Sequence, residues 1–535
     1  MEQQLHLADV RARRGRLAGR GRSPPERGQS APGTGRSPRR RRPFRATAIL
    51  IQGKESITVR LLRSGSIVLF SNCVDVAAVL VRNVLLARLL SVTEFGLAAT
   101  FAILMTIVET FQNVGLNRLV VQDPRADDPA FVSNLHGAQI VVSFMATILL
   151  ILVAFIFAAA TNTISQTGDY LILTVVPLIN AFTNLDIFRM QRDGHFAPQA
   201  LRSLLSQPLG LLAILPAYWF FHDHRVALAA ILTQQVSAVA LSHVGVQQSY
   251  RVSFDGTIAR HAFRFGWPLV VNGLLMFFIL NGDRMIVLNR FGPEALGWFS
   301  AALMLTMIPS NLAAKSLQTL ALPALAKTQA RPQDHAHLYT VLIALSALLA
   351  MTLTVGALLL GAAVLDLLFG ARFHAAAAYI VPLACLNALR LFRAAPAIAA
   401  LASAETRSPL YTNIVRLAGV PAALAIAATT GRIDAMILAG IGAELAAAYC
   451  AGLFTNVPHG RMHDGYYATL ALLAASITLV LLAHYVNGYY ALLLAAPFAI
   501  VGLRLAGLTA NRSSILAAIP RLGQHKAAEQ SKIYP

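Results

Sequence analysis

Apolar stretches of about 20 residues follow one another from residue 63 to residue 508, separated by short polar turns. Few folds are open to a chain written this way. In a hydrocarbon layer no water meets the backbone, so every N–H and C=O must be paired within its own segment or around a closed barrel. Barrel strands would show segments of alternating polarity about ten residues long, and the sequence lacks them. Helices remain. Charged residues are 13% of the 535, against roughly 25% in soluble domains, and they gather at the ends and in the turns. The fold class is all-α, a polytopic membrane protein.

The pattern predicts about 14 spans. They start near Arg63, Phe95, Phe131, Tyr170, Pro198, Val226, Phe263, Glu294, Leu338, Ala375, Ser408, Ile433, Tyr466 and Gly488. Positive charge sorts their loops. One set holds Arg189, Arg192, Arg202, Arg251, Arg260, Arg264, Lys327, Arg331, Arg407 and Arg461. The other set is shorter and poorer in charge, with SVTE at Ser91–Glu94 and HYVNGYY at His484–Tyr490. Basic loops stay in the cytoplasm, so both termini are expected inside. The acidic QDPRADDPA at Gln122–Ala130 is the exception. The same bias accounts for a net charge of +20 without nucleic acid. Residues 1–58 form an Arg-, Gly-, Pro- and Ser-rich tail expected to be disordered against anionic lipid, and 509–535 a basic tail. Cys73, Cys385 and Cys450 have no metal or redox spacing and read as packing residues. No metal or cofactor is indicated.

One phrase occurs twice. RNVLLARLLSVTEFG at Arg82–Gly96 returns as RMIVLNRFGPEALG at Arg284–Gly297. Arg82 aligns with Arg284, Arg88 with Arg290 and, after a one-residue gap, Gly96 with Gly297. Asn117 then falls opposite Gln318. The two copies end the first and seventh spans. A period of six helices in like orientation implies two six-helix bundles about an axis along the membrane normal, an arrangement found in transporters.

ARLLSVTEFGLAATFAILMTIVETFQNVGLNRLVVQ at Ala87–Gln122 resembles the opening of bacterial polysaccharide flippases of the Wzx type. NGDRMIVLNRFGPEALGWFSAALML at Asn281–Leu305 and RMQRDGHFAPQALRSLLSQPLG at Arg189–Gly210 resemble two later parts of the same proteins. Their superfamily also contains MATE-type drug exporters and the lipid II flippase. The resemblance covers residues 60–510. It implies an amino-terminal lobe at 59–252, a carboxyl-terminal lobe at 253–459 and two extra helices at 460–508. It further implies alternating-access transfer of an undecaprenyl-pyrophosphate-linked oligosaccharide across the bacterial inner membrane, for capsule, exopolysaccharide or lipopolysaccharide. A monomeric transporter fits this picture, and contact with polymerase and export proteins of the same pathway stays open.

Polar residues inside spans mark the candidate site, because a charge in lipid costs a few kcal/mol and turns to a protein or aqueous interior. Asp75 and Arg82 share a face of the first span; Glu109, Asn113 and Asn117 form a stripe on the second, with Arg118 beside it. The seventh carries Asp283 and Arg284, the eighth Asn311, Lys315 and Gln318. A pyrophosphate needs guanidinium or ammonium partners, and Arg82, Arg284 and Lys315 are the candidates. Sugar hydroxyls suit Asn113, Asn117, Asn311 and Gln318. Asp75, Glu109 and Asp283 are candidates for ion coupling, Glu109 being equally placed to pair with Arg82. Structural readings stand beside these: Arg88 and Arg290 snorkelling to an interface, Asp283 and Arg284 pairing with neighbours, and Gln207, Gln234, Gln235 and Glu444 joining helices.

Rival functions are a MATE-like exporter of organic cations, an oligosaccharide polymerase or ligase, and a channel. The first would want an acidic, aromatic cavity, whereas the polar stripes here are cationic. The second would want a large outer loop. The chain has none longer than about fifteen residues, so it is not read as an enzyme. A channel would want a re-entrant filter loop, which is also absent from the sequence.

Overall fold

A computed structural model describes residues 74, 76–112, 115–405, 407–454, 461–486 and 488–510. Both tails, Asn72, Cys73, Asp75 and Asn113 lie outside the described residues. Among the described residues there are helices and no strand. Nine helices among the described residues are long and apolar enough to cross a membrane, and ten if one bent pair counts as a single span.

Local features, and a first span that is described only over residues 74 and 76–90, relate this count to the fourteen spans expected from sequence. Spans seven and eight form one run, Gly256–Thr328, broken at Gly292, whose φ of 84° and ψ of 177° leave the helical region. Pro293 follows, and its fixed φ suits the first turn of the second helix. Span two runs as Val92–Gln112 and then Leu116–Gln122, the second piece opening at Gly115 with φ 73°. Span four bends by 56° between Ile164–Ala181 and Asp186–Arg192. Span six, Arg225–Leu241, is a shorter apolar helix, and span fourteen is a 3-10 turn leading into Ala495–Ala510.

Packing follows apolarity. Span three, Pro129–Ala160, turns Phe144, Met145, Ile148, Leu152, Phe155 and Ile156 outward, a lipid-facing stripe. Its other face carries buried Ala146, Leu150, Ala154 and Phe157 into the core. Spans thirteen and fourteen pack on span nine, Pro332–Phe369. Tyr466 is buried there because its ring stacks on Phe392 and its hydroxyl donates to the Ala448 carbonyl at 2.6 Å.

The two ends of the bundle differ. At one end the chain from span six to span seven, residues 242–255, is fastened down as a strap. Buried Asp186 accepts from Arg189 Nε at 2.5 Å and from the backbone N–H groups of Gln247 and Gln248 at 2.7 and 2.9 Å. His136 donates from Nδ1 to the Arg251 carbonyl at 2.9 Å and accepts the Leu185 N–H at Nε2, 3.1 Å away. The acidic 122–130 segment sits at this end, and its charge is answered locally. Arg125 pairs with Asp123 at 2.7 Å and Arg192 with Asp127 at 3.4 Å, while His261 lies 3.6 Å from Asp123. The Arg125 hydrogen bond holds the Asp123 carboxyl down at about 2. The other end gathers the short turns near residues 91, 162, 223, 292 and 370, and is called the corner end below.

Candidate functional site

The repeated phrase makes the corner end. Gly96 lies so close to the Pro293 carbonyl oxygen that a β-carbon would overlap it, and Gly297 meets the Val92 carbonyl oxygen in the same way. Val92 precedes Gly96 by four residues, and Pro293 precedes Gly297 by four. Each copy therefore offers the other the same glycine and the same carbonyl, as a pseudo-twofold axis requires.

Capping extends the contact. Arg88 donates from Nε to the Leu368 carbonyl at 2.8 Å and from Nη2 to the Leu367 carbonyl, satisfying the last turn of span nine. Arg372 returns the favour to the end of span one, on the carbonyls of Leu90 at 2.9 Å and Arg88 at 3.1 Å. Asn289 caps span three through the Ala160 carbonyl at 2.6 Å. Phe95 stands edge-on to Phe369 and Phe373, at centroid distances of 6.3 and 5.4 Å. This end is shut. Arg88 thus caps span nine.

Within the first six spans lies a polar cavity of about 340 Å³, at the lower end of the size usual for small-molecule sites. Amides and hydroxyls dominate its wall: Gln112 and Asn117 from span two, Gln139 from span three, Asn180 from span four, Gln207 from span five, Gln234 and Gln235 from span six. Several are held in place by one another. Asn180 Nδ2 donates to Gln112 Oε1 at 2.9 Å, and Gln139 Nε2 to the Asn180 carbonyl at 2.7 Å. Two charged side chains line it, Glu109 and Arg202. Arg82 stands behind the wall, donating from Nη1 to Gln234 Oε1 at 2.9 Å. Among the described residues no carboxylate pairs with Arg82 or Arg202, and no cation pairs with Glu109.

Spans seven to twelve hold a second polar centre, and it is nearly solid. Glu444 of span twelve accepts at Oε1 from Arg390 Nε at 2.8 Å and from Arg416 Nε at 2.9 Å. Its Oε2 lies 3.5 Å from Arg393 Nε, and Asp283 lies 3.7 Å from Arg390. Arg284 lies beside Asp283 in the chain and donates to Asn281 Oδ1 on its own helix at 3.4 Å. The void beside this cluster measures about 20 Å³, room for roughly one water.

The residues singled out from sequence are therefore divided. Glu109 and Asn117 line the cavity in the first half and Arg82 borders it. Arg118 is exposed next to Asn117, whose Oδ1 accepts its backbone N–H at 2.9 Å. Asp283 and Arg284 belong to the ionic cluster of the second half. Asn311, Lys315 and Gln318 are exposed along one face of span eight. Arg202, Gln139 and Asn180 escaped the sequence reading, and so did Arg390, Arg393 and Arg416. Gln207, Gln234 and Gln235, read as interhelical, turn out to be cavity wall. One signal was available: each of these is a polar residue in or at the end of an apolar span.

A family model described as polysaccharide biosynthesis protein matches residues 85–378. No curated protein matches the sequence. Among solved structures, the inward closed conformation of the lipid II flippase MurJ matches with a TM-score of 0.60 at 12% identity, covering 85% of this chain and 100% of that one. The inward-facing conformation of a multidrug resistance MATE family transporter of the MOP superfamily matches at 0.58 and 14%, covering 75% and 95%. An outward-facing MATE transporter matches at 0.50 and 13%, covering 81% and 98%. At such identities the likeness is one of fold, and the fold is MATE-like.

Proposed function

Because the chain belongs to the polysaccharide biosynthesis protein family, we propose that it flips a lipid-linked oligosaccharide, its sugars carried on an undecaprenyl pyrophosphate, across the bacterial inner membrane. The observation that carries this reading is the cavity in the first half: a wall of amides and hydroxyls bordered by two guanidiniums without carboxylate partners among the described residues. Sugar hydroxyls exchange hydrogen bonds with such amides. A phosphate diester brought out of water needs the guanidiniums. Arg82 and Arg202 are assigned to the pyrophosphate, with Lys315 meeting it from the opposite half, and Asn117, Gln234 and Gln235 to sugar. Arg284 is left to the ionic cluster. The corner end faces outward and both termini inward, as the basic loops suggest. Residues 59–252 and 253–459 then act as the two lobes, closed at the outer corners in this state. The better fit to the inward-facing than to the outward-facing MATE fold supports that assignment.

The test is a strain deleted for the gene, with lipid-linked units assayed by leaflet in spheroplasts. Trapping on the cytoplasmic side with loss of surface polysaccharide is the expected result; units that reach the outer leaflet unpolymerised would defeat it. Complementation with Arg82→Gln or Arg202→Gln should lower transport about tenfold or more, since a hydrogen bond to a charged group contributes roughly 1.5–3 kcal/mol. Normal transport by both variants would remove the pyrophosphate assignment. Glu109 is the one observation favouring a cation exporter, because it reaches the cavity without a partner among the described residues. Loss of tolerance to cationic drugs, with polysaccharide intact, would select that reading instead.

A further inference from the structure

His224 is buried at the corner end between two carboxylates. Its Nδ1 lies 2.6 Å from Glu94 Oε2 and its Nε2 2.9 Å from Asp169 Oδ2. The same Glu94 oxygen accepts the His224 backbone N–H at 2.8 Å. Arg225 donates to Asp169 Oδ1 at 3.2 Å and lies 3.9 Å from Asp223. The Phe101 ring packs on the imidazole at 5.8 Å between centroids. The charged groups facing the ring are therefore Glu94 from span two and Asp169 from span four, with Arg225 and Asp223 flanking them from the turn into span six. Ionised carboxylates only accept hydrogen bonds. Both ring nitrogens must donate for both contacts to exist, and only the imidazolium does that.

We propose that His224 is a pH-responsive latch joining three turns of the corner end. When the ring loses its second proton, one nitrogen presents a lone pair to a carboxylate oxygen and that contact becomes repulsive. The two carboxylates are not equivalent. Asp169 keeps Arg225, whereas Glu94 has His224 as its cation. The remaining proton therefore stays on Nδ1 with Glu94, and the turn carrying Asp169 is released. Glu94 lies between Val92 and Gly96, so the latch in its protonated form braces the gating corner against spans four and six. The inference is independent of the cargo; orientation in the membrane sets only which compartment's pH is read.

The experiment is hydrogen–deuterium exchange on the full chain in lipid nanodiscs from mildly acidic to alkaline pH, corrected for the intrinsic rate. In the wild type, protection of the 164–172 amides should fall roughly tenfold as pH rises, while the 91–97 amides change little. Asp169→Asn removes the dependence without removing the contact, because an amide donates to a lone pair as well as it accepts an N–H. Its 164–172 protection should be flat with pH. His224→Gln should be flat too and permanently less protected. Constant protection in the wild type, or an undiminished pH dependence in Asp169→Asn, overturns the latch.

Discussion

Gly96→Leu will hold the corner end open and abolish transport while leaving the protein in the membrane. The β-carbon of any residue at 96 would overlap the Pro293 carbonyl oxygen, a backbone atom with no rotamer to escape into. Overpacking a core costs about 1–3 kcal/mol when side chains can adjust, and here they cannot. Under the proposed alternating access the penalty would fall on the closed arrangement alone, because opening the corner would separate the two phrases. A bias of roughly 3 kcal/mol between conformations shifts their ratio about 150-fold. Gly297→Leu should do the same through the Val92 carbonyl oxygen. Gly356→Leu is the control, since a β-carbon there meets nothing within 4 Å. Cysteine labelling from the corner side reads the state directly: accessibility near the corner should rise in both gate variants and stay unchanged in the control. Transport at the wild-type rate by Gly96→Leu, with unchanged labelling, would mean that the corner is scaffold and the moving parts lie elsewhere.

The duplicated phrase also measures what the sequence made legible. Its period announced two related halves, but the close approach at its glycines was not read, because the partner of each glycine is the other copy, about 200 residues away in the chain. Spans were readable because apolar length is a local property. The fusion of spans seven and eight at Gly292 and the bend in span four shift boundaries without changing the order of elements. The cavity was half legible for a related reason. Spacing along span two groups Glu109 with Asn117, and both line the cavity although the helix breaks between Gln112 and Leu116. It cannot bring Gln139, Asn180, Arg202 and Gln234 to the same wall, because each sits on a different span. Arg390, Arg393 and Arg416 were invisible as a set because they lie on two spans and their common partner, Glu444, on a third.

That cluster carries the largest stability prediction. Glu444→Gln should unfold the second half, or lower its unfolding free energy by about 3–5 kcal/mol, the usual cost of breaking a buried ion pair from one side. Four guanidiniums, those of Arg284, Arg390, Arg393 and Arg416, share two carboxylates. Glu444 makes the contacts at 2.8 and 2.9 Å, and Asp283 reaches Arg390 only at 3.7 Å. Without Glu444 the cations of spans ten and eleven face one another in a space that admits roughly one water. Adding Arg416→Met should recover part of the loss, because Arg416 is the most buried of the four and a thioether fills its place without charge. Thermal unfolding of the purified variants measures both effects, and a double variant no more stable than Glu444→Gln alone would show that the pair is not coupled. A wild-type melting temperature for Glu444→Gln would mean that water already reaches these arginines. They would then be available to an anionic headgroup, and the second half would hold a site rather than a brace. The contrast with the first half makes the brace the better reading: guanidiniums next to the open cavity have no carboxylate partner among the described residues, whereas three of the four in the solid half lie beside one.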